Sequence, residues 1–422
     1  MQSRVRDTTA LAFGSVLSGL LAYVFFALTT RTLGATAAAP VSVLWTYWSF
    51  AAAALTFPLQ HWIARSVAAH DGEGAVHDAL PRVAGLVGLA ALATGLLAWL
   101  PRDSLFHRDD PAFPILVACV TLGAGFIGVV RGGLSARHQF VTLAVVFVAE
   151  NASRCLGAVA LILANVKAAI DYGICLAAGS FIGLLWPSSF RFARRQGKPV
   201  TDSSFRFIGG AAGGQLLGQA VLTGGPVLLA LSGGTAAQVT ALFAALALFR
   251  APYTVAIALV STLTGRLTTL FIHHEHAALR RVRVGVLTTT ALVVPLAGVL
   301  GALAGPRLLE LIFGPDVTLD PFYCGLVAAG SALALANLVM TVMIMSQNRS
   351  GAVARGWVVA TLAATLIYLL SAEPPLATTC WVFLGAEAVA LLALVLAELR
   401  GSAKARKGGS VTPKPITPKP GH

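Results

Sequence analysis

Hydrophobic runs of membrane-crossing length recur along the whole chain, separated by short segments rich in turn-forming and charged residues. A helix of about 20 apolar residues crosses the hydrocarbon core of a bilayer. The pattern predicts twelve such spans, and it leaves little chain for a separate soluble domain. The predicted spans are residues 9–30, 41–63, 83–100, 113–130, 140–164, 172–189, 207–230, 237–264, 284–304, 322–345, 356–371 and 378–398.

Composition and charge agree with this pattern. Hydrophobic residues make up 57% of the 422 residues, charged residues 11%, and the mean hydropathy is +0.80, which is typical of an all-α polytopic membrane protein. Of the 30 Lys and Arg residues, 23 fall on the side of the N-terminus, five on the opposite side and two within spans. The 23 include Arg131, assigned to the loop before span 5. Because short cytoplasmic loops carry the excess of positive charge, both termini are predicted to be cytoplasmic.

The net charge of +13 therefore reflects this topology and attraction to anionic lipid headgroups. It does not indicate nucleic-acid binding. Five cysteines all fall in predicted spans without metal-ligand spacing, which favours packing roles over disulfides or a metal site. The His273, His274, Glu275 and His276 cluster lies on one predicted cytoplasmic loop and is interpreted as solvated. No nucleotide-binding fingerprint is present, so the sequence predicts no cofactor and no metal.

A basic segment divides the spans into two groups of six. The sequence predicts an N-terminal six-helix bundle at residues 1–189, a basic cytoplasmic linker at 190–206 and a C-terminal six-helix bundle at 207–399. Residues 400–422 are basic and Pro-rich, and they are predicted to be a disordered cytoplasmic tail. Residues 38–44 (AAPVSVL) and 236–242 (AAQVTAL) open corresponding spans, and six spans per half predict a parallel pseudo-repeat around a central cavity.

Charged residues inside three spans are the main anomaly of the sequence. Span 5 carries Glu150, Asn151 and Arg154, span 8 carries Arg250, and span 12 carries Glu387. A charge at the centre of a membrane helix costs about 2.5–3.5 kcal/mol on insertion scales, so such residues are functional candidates. Two interpretations stay open. Either Glu150 pairs with Arg154 and Arg250 with Glu387 to hold the helices in register, or both arginines line the cavity and bind an anionic substrate.

Further polar side chains in the spans are candidates for hydrogen bonds to a substrate. Gln215 and Gln219 lie four residues apart on span 7, and Asn337 lies on span 10. Together with Asn151 they are predicted to bind a polar substrate such as a sugar. Of the two arginines, Arg250 is the stronger candidate for substrate contact, because no acid lies near it in sequence.

Three short motifs connect the chain to a known family. They are RTLG at residues 31–34, FPLQHWIAR at 57–65 and RGGL at 131–134. With its topology, the chain resembles the polysaccharide-transport members, such as O-antigen and teichoic-acid flippases, of the multidrug, oligosaccharidyl-lipid and polysaccharide (MOP) exporter superfamily. The acidic-aromatic-Gly pattern common after the first loop is replaced by ATAAAP at residues 35–40, so the resemblance is to a divergent member.

The resemblance implies two six-helix bundles around a V-shaped cavity in a bacterial inner membrane protein. It implies a flippase that moves a polyprenyl-(pyro)phosphate-linked oligosaccharide outward by alternating access, with membrane lipids and glycosyltransferases or a polymerase of the same pathway as further partners. The resemblance implies that Arg154 and Arg250 are the residues that line the cationic cavity of the family in this chain. Glu150 and Glu387 are candidate coupling or charge-pair residues for a proton or sodium ion.

Two alternatives belong to other functional classes. A cation-coupled drug or small-molecule exporter of the same superfamily would use Glu150 or Glu387 as its coupling carboxylate. A membrane glycosyltransferase or polymerase would need an acid on an outer loop, for which Asp103, Asp109 and Asp110 are the best candidates. The outer loops are short, which favours a transporter over an enzyme.

Overall fold

The computed structural model describes residues 2–69, 73–193, 216–256, 267, 270–271, 276–347 and 349–408, and within these residues the protein is all-helical. The helices coincide with the twelve predicted spans, except for residues 207–215 of span 7 and 257–264 of span 8, which lie outside the described residues. In the first half, hereafter the N-half, they are Gln2–Ala51, Ala52–Thr56, Phe57–Ala69, Gly74–Trp99, Arg102–Phe106, Ala112–Ala136, Phe140–Leu163, Ala169–Gly179, Ser180–Leu185 and Pro187–Phe190.

In the second half, the C-half, several helices are interrupted at glycine and proline. They are residues 216–223, Gly225–Leu231, Ala236–Phe249, 251–256, His276–Phe313, Pro321–Ser346, Ser350–Leu370 and Pro375–Gly408. Most of the predicted linker, including residues 194–206, and the tail from residue 409 lie outside the described residues, as does Gln215.

The connection between spans 1 and 2 differs from the sequence prediction. Spans 9–30 and 41–63 predict a ten-residue outer loop between them, but Gly34 is the one non-helical residue within Gln2–Ala51, with φ +76° and ψ 167°. The rings of Phe25 and Trp45 lie 5.5 Å apart, so the two segments fold back on each other around Gly34. A single residue suffices because glycine tolerates a positive φ that side chains disfavour.

The two halves share a hydrophobic core at one membrane face and have separate cores at the other. The largest cluster of buried side chains joins Phe26 and Leu44 of the N-half to Phe243 and Leu309 of the C-half. Described residues nearer the opposite face pack within their own half, as in the clusters around Trp62 and around Met343. We call the shared face the outer face, following the predicted orientation. Among the described residues, the halves thus meet at the outer face and pack separately toward the inner face, and we call the space between them the cleft.

A salt bridge at the inner face fixes the start of the segment that follows span 6. Arg137, at the end of span 4, donates from Nε to Oε1 of Glu73 over 2.7 Å and from Nη2 to the carbonyl of Arg191 over 2.7 Å. Oε2 of Glu73 accepts the N–H of Ala193 over 2.9 Å. The Arg137 guanidinium holds the pKa of the Glu73 carboxyl below its ordinary value, through this hydrogen bond.

Acidification is expected to break the salt bridge between Arg137 and Glu73. Because the folded pKa of Glu73 is lowered, its contribution to stability is present above the unfolded-state pKa of about 4.3 and is lost as the pH falls through the folded value. Amide exchange of residues 188–193, corrected for intrinsic rates, should therefore accelerate in acid. In Glu73→Gln, exchange should be fast at every pH. If amide exchange of residues 188–193 has the same pH dependence in the wild type and in Glu73→Gln, then Glu73 does not hold this segment in place.

Candidate functional site

A buried polar cluster in the N-half contains one carboxylate and two guanidinium groups. Glu150, on helix Phe140–Leu163, is fully buried and accepts Nη2 of Arg154 at Oε1 over 2.8 Å. Its Oε2 accepts Nη2 of Arg131, which reaches across from helix Ala112–Ala136. The Glu150–Arg154 pair predicted from the sequence is thus present, and it has a third member. Two cations share one anion, which leaves the cluster with one net positive charge.

Arg154 is a fully satisfied member of this cluster. Besides Glu150, it donates to the Leu176 carbonyl over 3.1 Å, to Oδ1 of Asn151 over 2.8 Å and to Oγ of Ser180 over 3.1 Å. Its guanidinium lies 4.7 Å from the ring centre of Trp48, and its side chain is 0% exposed. These contacts hold helix Phe140–Leu163 against span 6. They leave little donor capacity for a substrate.

Glycine makes room for this guanidinium where span 6 crosses span 5. A Cβ at Gly179 would lie 2.4 Å from Nε of Arg154, a distance that real side chains do not adopt. Span 6 also changes from an α-helix to a tighter 3₁₀ turn at Ser180, whose hydroxyl accepts from both Arg154 and Trp48. The local sequence Gly179-Ser180 therefore positions the buried pair.

Arg131 has a different environment. Glu150 is the one hydrogen-bond partner found for its guanidinium among the described residues, and its Nε is buried there without one. Its guanidinium lies 4.5 Å from the ring centre of Phe147, and its side chain is 12% exposed. The assignment of Arg131 to an inner loop is wrong, because helix Ala112–Ala136 continues past it. The sequence feature that could have indicated a helical Arg131 is its position before two glycines in the RGGL motif.

Asn151 connects the cluster to span 1. It donates from Nδ2 to Oγ of Ser18 over 2.8 Å, and Ser18 donates to the Phe147 carbonyl over 2.7 Å. Asn151 therefore bridges Arg154 and the helix that lines one side of the cleft. A role of Asn151 in binding a sugar stays a prediction.

Arg250 occupies a helix-capping position in the C-half. Its side chain is buried, and it donates from Nε to the Leu246 carbonyl over 2.7 Å and from Nη1 to the Leu222 carbonyl over 2.8 Å. The Leu222 carbonyl lacks its helical donor because Pro226, four residues on, has no N–H. Arg250 therefore stabilises the interruption of span 7. Its role in substrate binding stays a prediction.

Glu387 pairs with an amide and not with an arginine. Its Oε2 accepts Nδ2 of Asn337 over 2.7 Å, and Asn337 also donates to the main-chain carbonyl of Glu387 over 2.9 Å. In the described part of the chain, Oε1 of Glu387 and Oδ1 of Asn337 are buried without a hydrogen-bond partner, and Glu387 and Arg250 form no salt bridge. A buried carboxylate with a free oxygen is a candidate for cation or proton uptake.

The other predicted candidates are placed as follows. Gln219 donates to Oγ1 of Thr223 over 3.3 Å within its own helix. The outer-loop acids form local ion pairs, Arg102 with Asp109 and Arg108 with Asp110. The five cysteines are unpaired, and no group of metal-binding side chains occurs in the described residues. Of the predicted histidine cluster, His273, His274 and Glu275 lie outside them, and only the backbone of His276 is described.

An apolar cavity of about 250 Å³ lies between the two halves, alongside span 1. Val16, Leu20 and Tyr23 form its N-half wall, and Leu248 and Val255 belong to its C-half wall. Tyr23 bridges the halves by donating to the Ala247 carbonyl over 2.7 Å. The cavity therefore has a largely apolar lining, and Glu150, Arg131 and Arg154 are not among its lining residues.

The long apolar helices of the described residues, arranged in two halves, define a multi-pass helical membrane protein. A family model described as "Polysaccharide biosynthesis protein" matches residues 5–271. This covers more than half of the chain, and the protein belongs to this polysaccharide biosynthesis family. No curated protein matches the sequence.

Solved structures similar to this one are transporters of the MOP superfamily. An inward-facing multidrug resistance MATE family transporter is 13% identical, with a TM-score of 0.67 and coverage of 93% of this chain and 96% of that one. An outward-facing MATE family transporter has a TM-score of 0.61 at 13% identity, with coverage of 95% and 96%. A MOP superfamily transporter from Pyrococcus furiosus, described as having a binding pocket of reversed polarity that suggests a different function, has a TM-score of 0.61 at 13% identity, with coverage of 96% of each chain. The predicted fold is therefore confirmed.

Proposed function

We propose that the protein is a flippase that moves a polyprenyl-(pyro)phosphate-linked oligosaccharide across the bacterial inner membrane by alternating access. The observation that carries the proposal is the net positive charge of the Glu150, Arg131 and Arg154 cluster at membrane depth. A desolvated excess charge is costly unless an anion compensates it. A phosphate or pyrophosphate headgroup supplies such an anion, whereas an organic cation would add to the unfavourable charge.

Arg131 is the group in this cluster with donor capacity to spare. Guanidinium groups bind phosphate oxygens with two parallel N–H bonds, and Arg131 uses one nitrogen for Glu150. Arg154 then acts as the fixed counter-charge that keeps Glu150 in place when Arg131 turns toward a headgroup. Gln219, Asn151 and Asn337 are proposed to bind sugar hydroxyls.

The apolar cavity supports a substrate that carries a lipid chain. It runs along span 1 and is bounded by both halves. A polyprenyl chain fits such a lining, since burying apolar surface away from water is favourable. The greater similarity to an inward-facing than to an outward-facing transporter supports loading from the cytoplasmic face.

Energy coupling and pathway partners are part of the same proposal. Glu387, with one carboxylate oxygen free, is proposed to take up a proton or sodium ion during the cycle. The chain itself is proposed to have no enzymatic activity. Glycosyltransferases that build the lipid-linked sugar, and a polymerase that consumes it, would act before and after it.

A binding comparison with three probes tests this function. The purified protein in lipid nanodiscs is titrated with a polyprenyl pyrophosphate, with the uncharged polyprenol of equal length and with the organic cation ethidium, using intrinsic tryptophan fluorescence and native mass spectrometry. The pyrophosphate should bind at least about tenfold more tightly than the alcohol, since charge-assisted hydrogen bonds contribute about 1.5–3 kcal/mol. Equal affinity for pyrophosphate and alcohol would contradict the proposal.

The second candidate is the cation-coupled exporter. The free oxygen of Glu387 favours it, because a buried carboxylate that changes protonation is suited to coupling. The same titration separates the candidates. Saturable ethidium binding that is weakened by acid, without binding of the pyrophosphate, would favour the exporter.

A further inference from the structure

The RTLG motif at residues 31–34 lies where the two halves meet at the outer face. Arg31 donates from Nε to the Ile312 carbonyl over 2.9 Å and from Nη2 to the Leu311 carbonyl. Both carbonyls belong to the last turn of helix His276–Phe313, where a helix has no donors of its own for its final carbonyls. A cation is also favoured at this end by the helix dipole. Arg31 of the N-half therefore caps a helix of the C-half.

A second contact involves a negative charge, which the C-half presents to a helix end of the N-half. Asp316, on the C-half loop that follows this helix, lies against Gly34, where a Cβ would come 3.2 Å from its Oδ2. Gly34 directly precedes the helical segment of span 2, whose N-terminal end carries the positive end of its dipole. Each half thus presents a charge to a helix end of the other half, and the signs match in both cases.

Hydrogen bonds and aromatic rings reinforce the same face. Thr240 of the C-half donates to the Ala35 carbonyl over 2.6 Å, and His107 of the N-half donates from Nε2 to the Gly234 carbonyl over 2.9 Å. Beneath these bonds, the ring of Phe26 lies 4.5 Å from Phe243 and 5.4 Å from Phe313. Tyr23 of the N-half also bonds across to the C-half, to the Ala247 carbonyl and the Thr254 side chain, further from the outer face than the contacts above.

We propose that Arg31, Gly34, Thr240 and Asp316 form a latch that holds the outer face closed and breaks when the transporter opens outward. The contacts are reciprocal, so they form and break together when the halves rotate. In this proposal, Arg31 and Gly34 of the RTLG motif hold the outer face of the protein closed. It operates whichever substrate is moved, and its test does not depend on the proposed flippase function.

Distance measurements between spin labels test the latch. In a background with the five native cysteines replaced, one label pair at Lys167→Cys and Glu373→Cys spans the outer face, and a second pair at Gln139→Cys and Ser350→Cys spans the inner face. Arg31→Gln should lengthen the outer distance and shorten the inner one in proteoliposomes. The ratio of outward-open to outward-closed molecules should rise at least about tenfold, because two charge-assisted hydrogen bonds favour the closed state.

Arg102→Gln is the matched control. Arg102 is also an outer arginine of the N-half, but it pairs with Asp109 and stacks on Trp99 within its own half, so both distance distributions should stay as in the wild type. Asp316→Asn should shift them in the same direction as Arg31→Gln. If Arg31→Gln does not fold, Arg31→Lys should give a smaller shift of the same sign. Unchanged distributions in the folded Arg31 variant, or an equal shift in Arg102→Gln, would overturn the latch.

Discussion

Replacing Glu150 by glutamine is expected to be the most destabilising single change in the buried network. The carboxylate holds Arg131 and Arg154 together away from water. Its neutralisation leaves two guanidinium groups buried beside one amide, and removing one partner of a buried charge pair costs about 3–5 kcal/mol. Because folded proteins are stable by only about 5–15 kcal/mol, Glu150→Gln should give little folded protein. Size-exclusion profiles after extraction and the midpoint of thermal unfolding measure this.

Two variants control for this expectation. Glu387→Gln also neutralises a fully buried carboxylate, but Glu387 accepts an amide hydrogen bond that glutamine can retain, so its melting midpoint should fall far less. Adding Arg131→Gln to Glu150→Gln removes one of the two uncompensated charges and should restore part of the lost stability. Equal stability of Glu150→Gln and Glu387→Gln would show that Glu150 does not hold the cluster together.

Local features of this site could be predicted from the sequence, and its long-range contacts could not. The four-residue spacing of Glu150 and Arg154 within an apolar run places both on one helix face, and this pair is present at 2.8 Å. Arg131 lies 19 residues before Glu150 on another helix, and no periodicity indicates that contact. A positive charge at the end of an apolar run instead suggests a loop, which is why Arg131 was assigned to one.

The backbone carbonyls that Arg250 binds could likewise not be predicted from the sequence. In sequence, Pro252 lies two residues after Arg250 and has no N–H, which predicts a freed carbonyl at Leu248 near the guanidinium. In the structure, the guanidinium reaches the carbonyls of Leu246 and Leu222, and the second is freed by another proline, Pro226. Which freed carbonyl an arginine finds depends on how spans 7 and 8 pack, and that is a property of the tertiary structure.

Around Gly34, the hydrophobic pattern predicts the two helices but not the geometry of the connection between them. The apolar runs on either side correctly predicted spans 1 and 2. The polar residues between them resembled a ten-residue loop, whereas one glycine with φ +76° makes the connection. Helix therefore continues through residues 35–40 and brings Ala35 within reach of Thr240.

Replacing Arg131 by glutamine is expected to reduce transport strongly while the protein stays folded. Glu150 keeps its salt bridge to the fully buried Arg154, so the remaining pair is neutral and the helix contacts persist. The net positive charge of the cluster disappears, and with it the proposed anchor for a phosphate headgroup. Loss of charge-assisted hydrogen bonds worth about 1.5–3 kcal/mol predicts a decrease of about 10- to 150-fold in affinity for a polyprenyl pyrophosphate.

Proteoliposomes containing a short-chain polyprenyl pyrophosphate and an externally added, membrane-impermeant phosphatase measure the transport. Lipid that crosses to the outer leaflet is hydrolysed, so the fraction hydrolysed beyond the initial outer pool gives the flipping rate. Arg131→Lys keeps the charge without the planar double donor and should retain partial activity. Arg137→Gln is the matched control, because it removes the next arginine of the same region, which pairs with Glu73 at the inner face. Wild-type flipping by a folded Arg131→Gln variant would exclude this arginine as the headgroup anchor, since the remaining Glu150–Arg154 pair carries no net charge to replace it.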